Sequence, residues 1–301
     1  MRTLVTGGTG FVGSPAVRTL VARGDDVQVI SREVPRIRAP GATFHSLDLI
    51  TDRDATRELV CELQPERLLH LAWTTSPGEY WTSMDNLDWV GASLSLFRAF
   101  TEAGGRRAVM AGSCAEYDWS REVLDEVDTP THPATLYGTA KHSLRLVVEA
   151  AARNSGVSLC WGRLFFLYGP EEAPGRLVSS VLDALRLGEV APVSEGRQER
   201  DFLHVDDAAV AFVELLDASV VGPVNVGSGV GVSVREVVAT LADLVGRPDL
   251  VRYGTRPTPA SEPDRLVADV RRLHATTNFR PEFDLRSGLI DTLTRTPAPH
   301  V

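Results

Sequence analysis

LVTGGTGFVG at residues 4–13 places a glycine-rich turn between a short β-rich run and a helical pattern. Glycine lets the backbone turn tightly, and the amides at a helix N-terminus attract negative charge. Glycine-rich turns without any ligand are common, but this one has the strand-turn-helix context in which such a loop holds a dinucleotide pyrophosphate. We therefore predict that NAD or NADP contacts the loop at Gly7, Thr9, Gly10, Phe11, Val12 and Gly13.

Short β-rich runs and helical patterns alternate over the first two-thirds of the chain. Strands are predicted at 3–6, 26–31, 43–46, 67–71, 107–111 and 158–163, and helices at 11–23, 52–64, 82–103 and 134–154. Helices of this length between strands imply crossovers, and hence a doubly wound parallel sheet of the α/β class with a smaller C-terminal substrate-binding lobe. We assign 1–163 to the dinucleotide-binding domain, with a return at about 200–226, and 164–199 and 227–301 to the lobe.

Composition narrows the class of protein. The 301-residue chain is 43% hydrophobic and 24% charged, and its formal charge of -9 disfavours a nucleic-acid partner, because phosphate binding needs a basic stripe. The three cysteines show no metal or redox spacing, which is typical of a reduced, cytoplasmic setting. No apolar run is long enough to span a membrane, and the strand that starts by Thr3 leaves no room for a signal peptide. We expect a cytoplasmic protein with no nucleic-acid or membrane partner and no metal.

The residues after the second predicted strand bear on the choice of cofactor. An acidic residue there holds the ribose hydroxyls of NAD, whereas an arginine favours the additional phosphate of NADP. The chain has Ser31 and Arg32 at this point, followed by Glu33, Arg36 and Arg38. The arginines favour NADP, and Glu33 keeps NAD open.

Tyr137 and Lys141 lie four residues apart at the start of a strongly helical stretch, so they share one helix face. A neighbouring ammonium stabilises phenolate, which would lower the pKa of Tyr137 and make it a usable acid or base. Such a pair occurs often by chance. It gains meaning from its order in the chain, because the glycine-rich loop and then Ser113 precede it.

This ordered set resembles the extended short-chain dehydrogenase/reductase family, a Rossmann-fold family, and especially its nucleotide-sugar epimerases, dehydratases and reductases. The resemblance spans about 200 residues. The matching segments are 6–13, 48–49, 70–72, Ser113, 137–141, Arg163, 168–170 and 200–207.

The resemblance implies a role for each matching residue. Tyr137 is expected to be the catalytic acid and base, with Ser113 hydrogen-bonded to the reacting oxygen. Lys141 is expected to hold the nicotinamide ribose and to tune Tyr137. Asp48 is expected at the adenine edge, and Arg200 at the substrate pyrophosphate, unless Arg200 forms an ion pair with Asp206 or Asp207. The remaining expected contacts are Leu49, Leu71 and Ala72 for the cofactor, and Cys114 and Glu116, beside Ser113 and Arg200, for the substrate.

Three departures from the family pattern bear on the reaction. Cys114 and Ala115 stand where the dehydratases carry an Asp-Glu pair, which argues against dehydration. The run 112–117 is similar to that of 4-keto-6-deoxyhexose nucleotide reductases. Phe166 replaces a frequent asparagine, and Trp89 stands near another such position, with Asn86 offset from it.

Our first hypothesis is therefore an NADPH-dependent 4-ketoreductase acting on a 4-keto-6-deoxyhexose attached to a nucleoside diphosphate. The alternative is a nucleotide-sugar 4-epimerase that recycles bound NAD. The retained Arg200 argues against a reductase of small ketones. The retained Ser113, Tyr137 and Lys141 argue against a non-catalytic redox sensor. The helices at 82–103 and 134–154 predict a homodimer, because the equivalent helices pair in related proteins.

Overall fold

The computed structural model describes residues 1–33, 40–258 and 262–298. Within them the strands are β1 (Arg2–Thr6), β2 (Asp26–Ser31), β3 (Ala42–Ser46), β4 (Arg67–His70), β5 (Arg107–Ser113), β6 (Val123–Leu124), β7 (Ser158–Leu164), β8 (Phe166–Tyr168), β9 (Ala191–Pro192), β10 (Glu199–His204), β11 (Gly222–Val226), β12 (Gly231–Ser233), β13 (Val251–Arg252) and β14 (Arg265–Ala268). The helices are α1 (Gly13–Ala22), α2 (Arg53–Leu63), α3 (Asp85–Glu102), α4 (Leu136–Ser155), α5 (Leu177–Leu187), α6 (Val205–Asp217), α7 (Val234–Val245), α8 (Arg271–Thr276) and α9 (Leu285–Arg295). Short 3₁₀ turns lie at Cys114–Glu116 and Pro248–Leu250.

The main sheet has seven strands in the order β11-β7-β5-β4-β1-β2-β3, and every neighbouring pair is parallel. The chain runs outward from β1 to β3, crosses to β4 and then continues outward on the other side. The strand order thus reverses between β1 and β4, which is where ligands bind in open α/β sheets. The predicted doubly wound parallel sheet is confirmed.

Helices cover both faces of this sheet, which explains why its strands are apolar almost throughout. Successive residues of β1 point to opposite faces. Val5 packs with α1 and α6, and Leu4 packs with α3 and α4. The six strands and four helices expected in the first two-thirds of the chain are all present.

The boundaries differ at two places that matter for the site. Strand β5 continues two residues beyond its predicted end and finishes at Ser113. Helix α3 begins at Asp85 rather than at residue 82, after a series of turns. The Asn86 side chain holds these turns, because its amide nitrogen donates to the carbonyls of Tyr80 (2.8 Å) and Ser83 (2.8 Å).

A smaller lobe follows β7. Strands β12, β10, β14 and β6 form its sheet, with β8 paired to β10. Helices α5, α7 and α9 pack around an apolar cluster that includes Leu182, Leu241 and Leu289. Between these parts of the lobe, β11 and α6 return to the main sheet. Among the residues described, none of the helices combines the length and apolar character that a membrane crossing requires.

Candidate active site

The carboxyl ends of β1, β4 and β5 carry the polar residues of the site. Thr6 ends β1 and His70 ends β4, and their side chains are in contact (Oγ1 to Nδ1, 2.6 Å). The other nitrogen of His70 contacts Ser93 on α3 (2.8 Å). His70 is buried, and its burial lowers its pKa from 6.5 to about 3, so the ring is neutral. These contacts join the strand ends to the following helix.

Helix α4 delivers two of the candidate catalytic residues. Thr135 caps the helix by accepting a hydrogen bond from the Gly138 amide (3.1 Å), so Tyr137 and Lys141 fall in its first two turns. Both side chains are buried. The side chain of Ser113, at the end of β5, lies within hydrogen-bonding reach of the Tyr137 hydroxyl. The structure therefore brings the three predicted catalytic residues to one place.

The buried ammonium of Lys141 contacts a backbone carbonyl and an aromatic ring. Its Nζ donates to the Ala111 carbonyl (2.8 Å) and lies 3.8 Å from the centre of the Trp73 ring. Burial lowers its pKa from 10.5 to about 7, and the negative charge of Glu116 opposes that shift. Lys141 is also the only lysine among the 31 lysine and arginine residues of the chain. The sequence analysis overlooked this count, which already distinguished Lys141 from the other basic residues.

An enclosure of aromatic rings surrounds Tyr137. Tyr80 meets its ring edge-on at 4.9 Å between centroids, Trp81 at 5.7 Å and Trp73 at 6.3 Å. Trp119 in turn contacts Trp81. The sequence analysis missed this enclosure, although the aromatic residues between 73 and 81 were visible as a local concentration.

The prediction that Lys141 lowers the pKa of Tyr137 is wrong for this structure. Burial raises the pKa of Tyr137, and only the hydrogen bond with Ser113 opposes that effect. The Lys141 ammonium is instead engaged by Ala111 and Trp73. Removal of water from the phenol is therefore the larger effect on Tyr137.

The prediction that Glu116 contacts the substrate is also wrong. Its side chain has no exposed surface. Oε1 accepts from the Ser113 amide (2.9 Å) and the Trp161 indole (2.8 Å), while Oε2 pairs with Arg163 (3.1 Å). Both oxygens are occupied, so Glu116 supports Ser113 from behind.

Cys114 and Ser113 form the start of the 3₁₀ turn that carries Glu116. Ser113 Oγ accepts from the Ala115 amide (3.2 Å) and caps the turn. Cys114 is buried, and burial raises the pKa of its thiol to about 12. A thiol with that pKa stays protonated at neutral pH, so Cys114 supplies no base here.

Arg200 lies in the lobe with its guanidinium buried. It donates to Glu262 (2.7 Å) and to the Glu199 carbonyl (2.8 Å), and it lies over the Phe166 ring. The alternative pairing with Asp206 or Asp207 does not occur: Asp206 pairs with Arg295 and Arg18, and Asp207 accepts from the backbone at 282 and 283.

A cleft of about 540 Å³ adjoins the catalytic residues. Ala115 and Thr135 line it, and these residues flank Ser113 and Tyr137 in the sequence. Its other walls come from Trp119 and His132 on one side and Glu262 to Asp264 on the other. The segment between β5 and α4 and the chain just before β14 of the lobe thus both line one cleft, which is the arrangement expected of a small-molecule site.

The glycine-rich loop fits the pyrophosphate group that its sequence predicts. Gly7 has a φ of 70°, and a Cβ there would lie 2.7 Å from the Ala72 amide. A Cβ at Gly13 would collide with the Gly7 carbonyl. The loop is closed by a bond from the Gly10 amide to that same carbonyl (2.9 Å), while Thr9 and Gly10 remain exposed. Backbone alone therefore forms the cradle at the start of α1.

The other predicted cofactor residues lie at the same edge of the sheet. Leu71 follows β4 and its amide donates to the Thr6 carbonyl (3.1 Å). Asp48 accepts from the Ile50 amide (2.8 Å), and Leu49 beside it is buried. Ser31 ends β2 and is buried, and Arg32 follows it with its side chain exposed. The predicted contributions of Arg36 and Arg38 lie outside the described residues.

One group of potential metal ligands occurs in the described chain. His204, Asp206 and Asp291 have ligand atoms within 4.8 Å of one another. Arg295 donates to both carboxylates, at 2.5 and 2.9 Å. Because a guanidinium already neutralises these carboxylates, we assign the group to an ion-pair network that joins α6 to α9.

Comparison with known protein families matches residues 3–227 to the NAD dependent epimerase/dehydratase family. The chain belongs to this family. It is therefore an enzyme of the NAD-dependent epimerase/dehydratase type, as the resemblance predicted, and its similarity to relatives extends well beyond the cofactor loop.

Several relatives are similar over nearly their whole length. A UDP-glucose 4-epimerase of Streptomyces lividans is 31% identical over 308 residues, which cover 92% of this chain and 91% of that protein. A UDP-glucose 4-epimerase of Corynebacterium glutamicum is 28% identical, with coverage of 99% and 96%. Among solved structures, the Thermus thermophilus UDP-glucose 4-epimerase in complex with NAD has a TM-score of 0.86, 25% identity and 98% coverage of both chains.

Proposed function

We propose that this protein is a nucleotide-sugar 4-epimerase that works with a bound NAD. The observation that carries the proposal is the convergence of Ser113, Tyr137 and Lys141 beside the cleft, in a chain whose relatives include proteins named UDP-glucose 4-epimerase. This was the alternative in the sequence analysis. The comparisons support it better than the 4-ketoreductase that we placed first.

The residues of the chain divide the work of the reaction. Bound NAD supplies an acceptor and donor of hydride for the sugar carbon. Tyr137 takes the proton of the sugar hydroxyl on its Oη and returns it after the sugar has turned. Ser113 Oγ holds the same sugar oxygen. The aromatic enclosure excludes water from this exchange, and the cleft of about 540 Å³ leaves space for the sugar to present its second face.

Two further residues, Lys141 and Arg200, have roles in binding in this proposal. In this proposal the Lys141 ammonium holds the nicotinamide ribose beside Tyr137, and the phenolate that takes the proton has to form against the effect of burial. Arg200 faces the pyrophosphate of the substrate in this proposal, which requires Glu262 to share or release its hydrogen bond.

The cofactor in this proposal is NAD. A solved relative carries NAD, and a 4-epimerase needs no reductant from solution. The predicted preference for NADP depended on Arg32, Arg36 and Arg38; of these the structure describes Arg32, which follows β2 with its side chain exposed. Dehydration is disfavoured on chemical grounds, because Cys114 and Ala115 supply neither a base nor an acid near neutral pH.

The test uses purified protein without added cofactor. We expect interconversion of UDP-glucose and UDP-galactose, and release of NAD when the protein is denatured and its bound nucleotide is separated by chromatography. One other result would support the ketoreductase hypothesis instead. If these sugars are unchanged, and NADPH is consumed with a 4-keto-6-deoxyhexose nucleotide, the protein is a ketoreductase.

We also propose that the protein forms a homodimer through α3 and α4. Leu87 on α3 and Val147 on α4 are half exposed. Between the two helices lies a shallow groove whose walls include Leu94, Phe97 and Ala151. A second copy would cover this apolar surface.

A further inference from the structure

The Lys141 ammonium contacts the ring face of Trp73. Trp73 lies three residues after the end of β4, just beyond the matching segment 70–72, and no role had been expected of it. Its ring centre lies 3.8 Å from Lys141 Nζ. An aromatic face attracts a cation, and tryptophan does so most strongly.

The indole is held firmly in this orientation. Its Nε1 donates to Asn86 Oδ1 (2.9 Å), and its ring stacks on Trp89 at 5.9 Å between centroids. Trp89 in turn donates to Thr74 (2.9 Å). Asn86 is buried and its amide nitrogen also donates to the turns before α3, so the oxygen and the nitrogen of that side chain both serve this arrangement. Trp89 stands near the position at which the sequence analysis noted a departure from the family pattern, and Asn86 is the asparagine offset from that position.

The titratable groups around Lys141 are neutral or already paired with other residues, so the contact with Trp73 can affect the charge of Lys141. His70 on β4 is neutral, and Glu116 in the 3₁₀ turn already pairs with Arg163. Arg145, one turn further along α4, pairs with Glu149 (2.8 Å). Tyr137 on the same helix also carries no charge near neutral pH, because burial raises its pKa. Among the residues that the structure describes, none forms an ion pair with the buried Lys141 ammonium, whose stabilising contacts are the Trp73 ring face and the Ala111 carbonyl.

We propose that Trp73 is a positioning residue, which holds the Lys141 ammonium in place and stabilises its charged form, with Asn86 and Trp89 fixing the indole. Its catalytic consequence rests on the proposed function, because the proposed epimerase uses a charged Lys141 to hold the nicotinamide ribose. Loss of the aromatic face favours the neutral amine, so Lys141 gives up its proton at lower pH.

The single lysine makes a direct test practicable. Protein grown with lysine labelled at Cε and Nζ gives one lysine side-chain NMR signal, that of Lys141, whose pH titration reports its pKa without reference to activity. We expect Trp73→Leu to lower this pKa by roughly one unit. Trp73→Phe loses the bond to Asn86 but keeps a ring face. The Lys141 pKa should therefore fall less in this variant than in Trp73→Leu.

Trp81→Leu is the matched control, because Trp81 contacts the Tyr137 ring in the same enclosure. It should leave the Lys141 pKa close to that of the unchanged protein. An unchanged or raised pKa in Trp73→Leu would overturn the proposal, and so would equal shifts in Trp73→Leu and Trp81→Leu, since these outcomes indicate general hydration instead. Circular dichroism of each variant establishes that it is folded.

The activity profile provides the second readout. In Trp73→Leu the alkaline fall of kcat should move to lower pH by the same amount as the Lys141 titration. If the unchanged protein has no epimerase activity while the NMR shift occurs, the proposed function fails and the role of Trp73 in holding the ammonium stands. If epimerase activity is present and the titration does not shift, the proposal about Trp73 fails alone.

Discussion

At the scale of single residues, the site consists of a few polar groups from which water has been removed. Tyr137 and Lys141 both bury their ionisable atoms, and burial moves the pKa of each towards its neutral form. Ser113 is positioned by a buried carboxylate, Glu116, that has no access to the cleft. The reactive groups therefore depend on neighbours that do not contact the substrate themselves.

Removal of the Tyr137 hydroxyl tests its role as acid and base. Tyr137→Phe should lower epimerase turnover by about 10²- to 10⁴-fold, because it deletes the proton-transfer group and little else. Bound NAD, released by denaturation and measured by chromatography, should be unchanged. The control is Tyr253→Phe, the same substitution in the lobe beside Arg235. Full activity in Tyr137→Phe would mean that another group moves the proton.

His70 makes a separate prediction about stability in acid. Its folded pKa of about 3 lies below the ordinary 6.5, so between these values the unfolded chain binds a proton that the folded protein does not. Stability should therefore fall as the pH drops through this window. In His70→Asn, the slope of the unfolding free energy against pH should be smaller by about 1.4 kcal/mol per pH unit.

Urea denaturation at several pH values between 6.5 and 4 measures that slope for both proteins. Acidic residues contribute to acid unfolding in both, so the difference between the two slopes isolates His70. Equal slopes would show that His70 is protonated in the folded protein or open to water.

At the scale of elements, the glycine-rich loop and α1 act as one unit. The helix starts at Gly13, immediately against the Gly7 carbonyl, so the cradle exists only while position 13 lacks a side chain. Gly13→Ala should weaken NAD binding about tenfold or more, because the methyl group forces the loop away from α1. Ser14→Ala, one position along the same helix, is the control and should bind NAD normally.

Isothermal titration of NAD into protein stripped of bound nucleotide measures this effect. Unchanged affinity in Gly13→Ala would show that the loop can move without disturbing the cofactor. Lower thermal stability without lower affinity would place the importance of Gly13 in packing alone.

The elements were largely predictable from the sequence, and the reasons are local. The motif at residues 4–13 and the spacing of apolar runs identify a parallel sheet because each strand needs a crossover of known length. Contacts between distant segments were not predictable. Glu116 was assigned to the substrate because no local pattern shows that its 3₁₀ turn directs the side chain towards Trp161 and Arg163, more than 40 residues away. Trp73 was overlooked for the same reason.

At the scale of the whole molecule, the exposed face of α3 and α4 predicts the oligomeric state. We expect a homodimer in sedimentation or light-scattering measurements, and we expect Val147→Glu to shift it towards monomer, because a charge would be buried at the interface. Val127→Glu is the control, since Val127 is 80% exposed and lies on neither helix. A monomeric unchanged protein, or a dimeric Val147→Glu variant, would contradict this interface.

The return of α6 and β11 to the main sheet has a consequence for biosynthesis. On the ribosome, the first six strands of that sheet emerge well before residues 205–226. Until then Val17 and Leu20 of α1 lack the partners Ala208 and Phe212 that later cover them, and β7 lacks its outer neighbour. The nascent chain therefore presents an apolar helix face and an open strand edge during translation, which are the surfaces that chaperones bind. A pause in synthesis before residue 205 would prolong that exposure, whereas a pause after residue 226 would not.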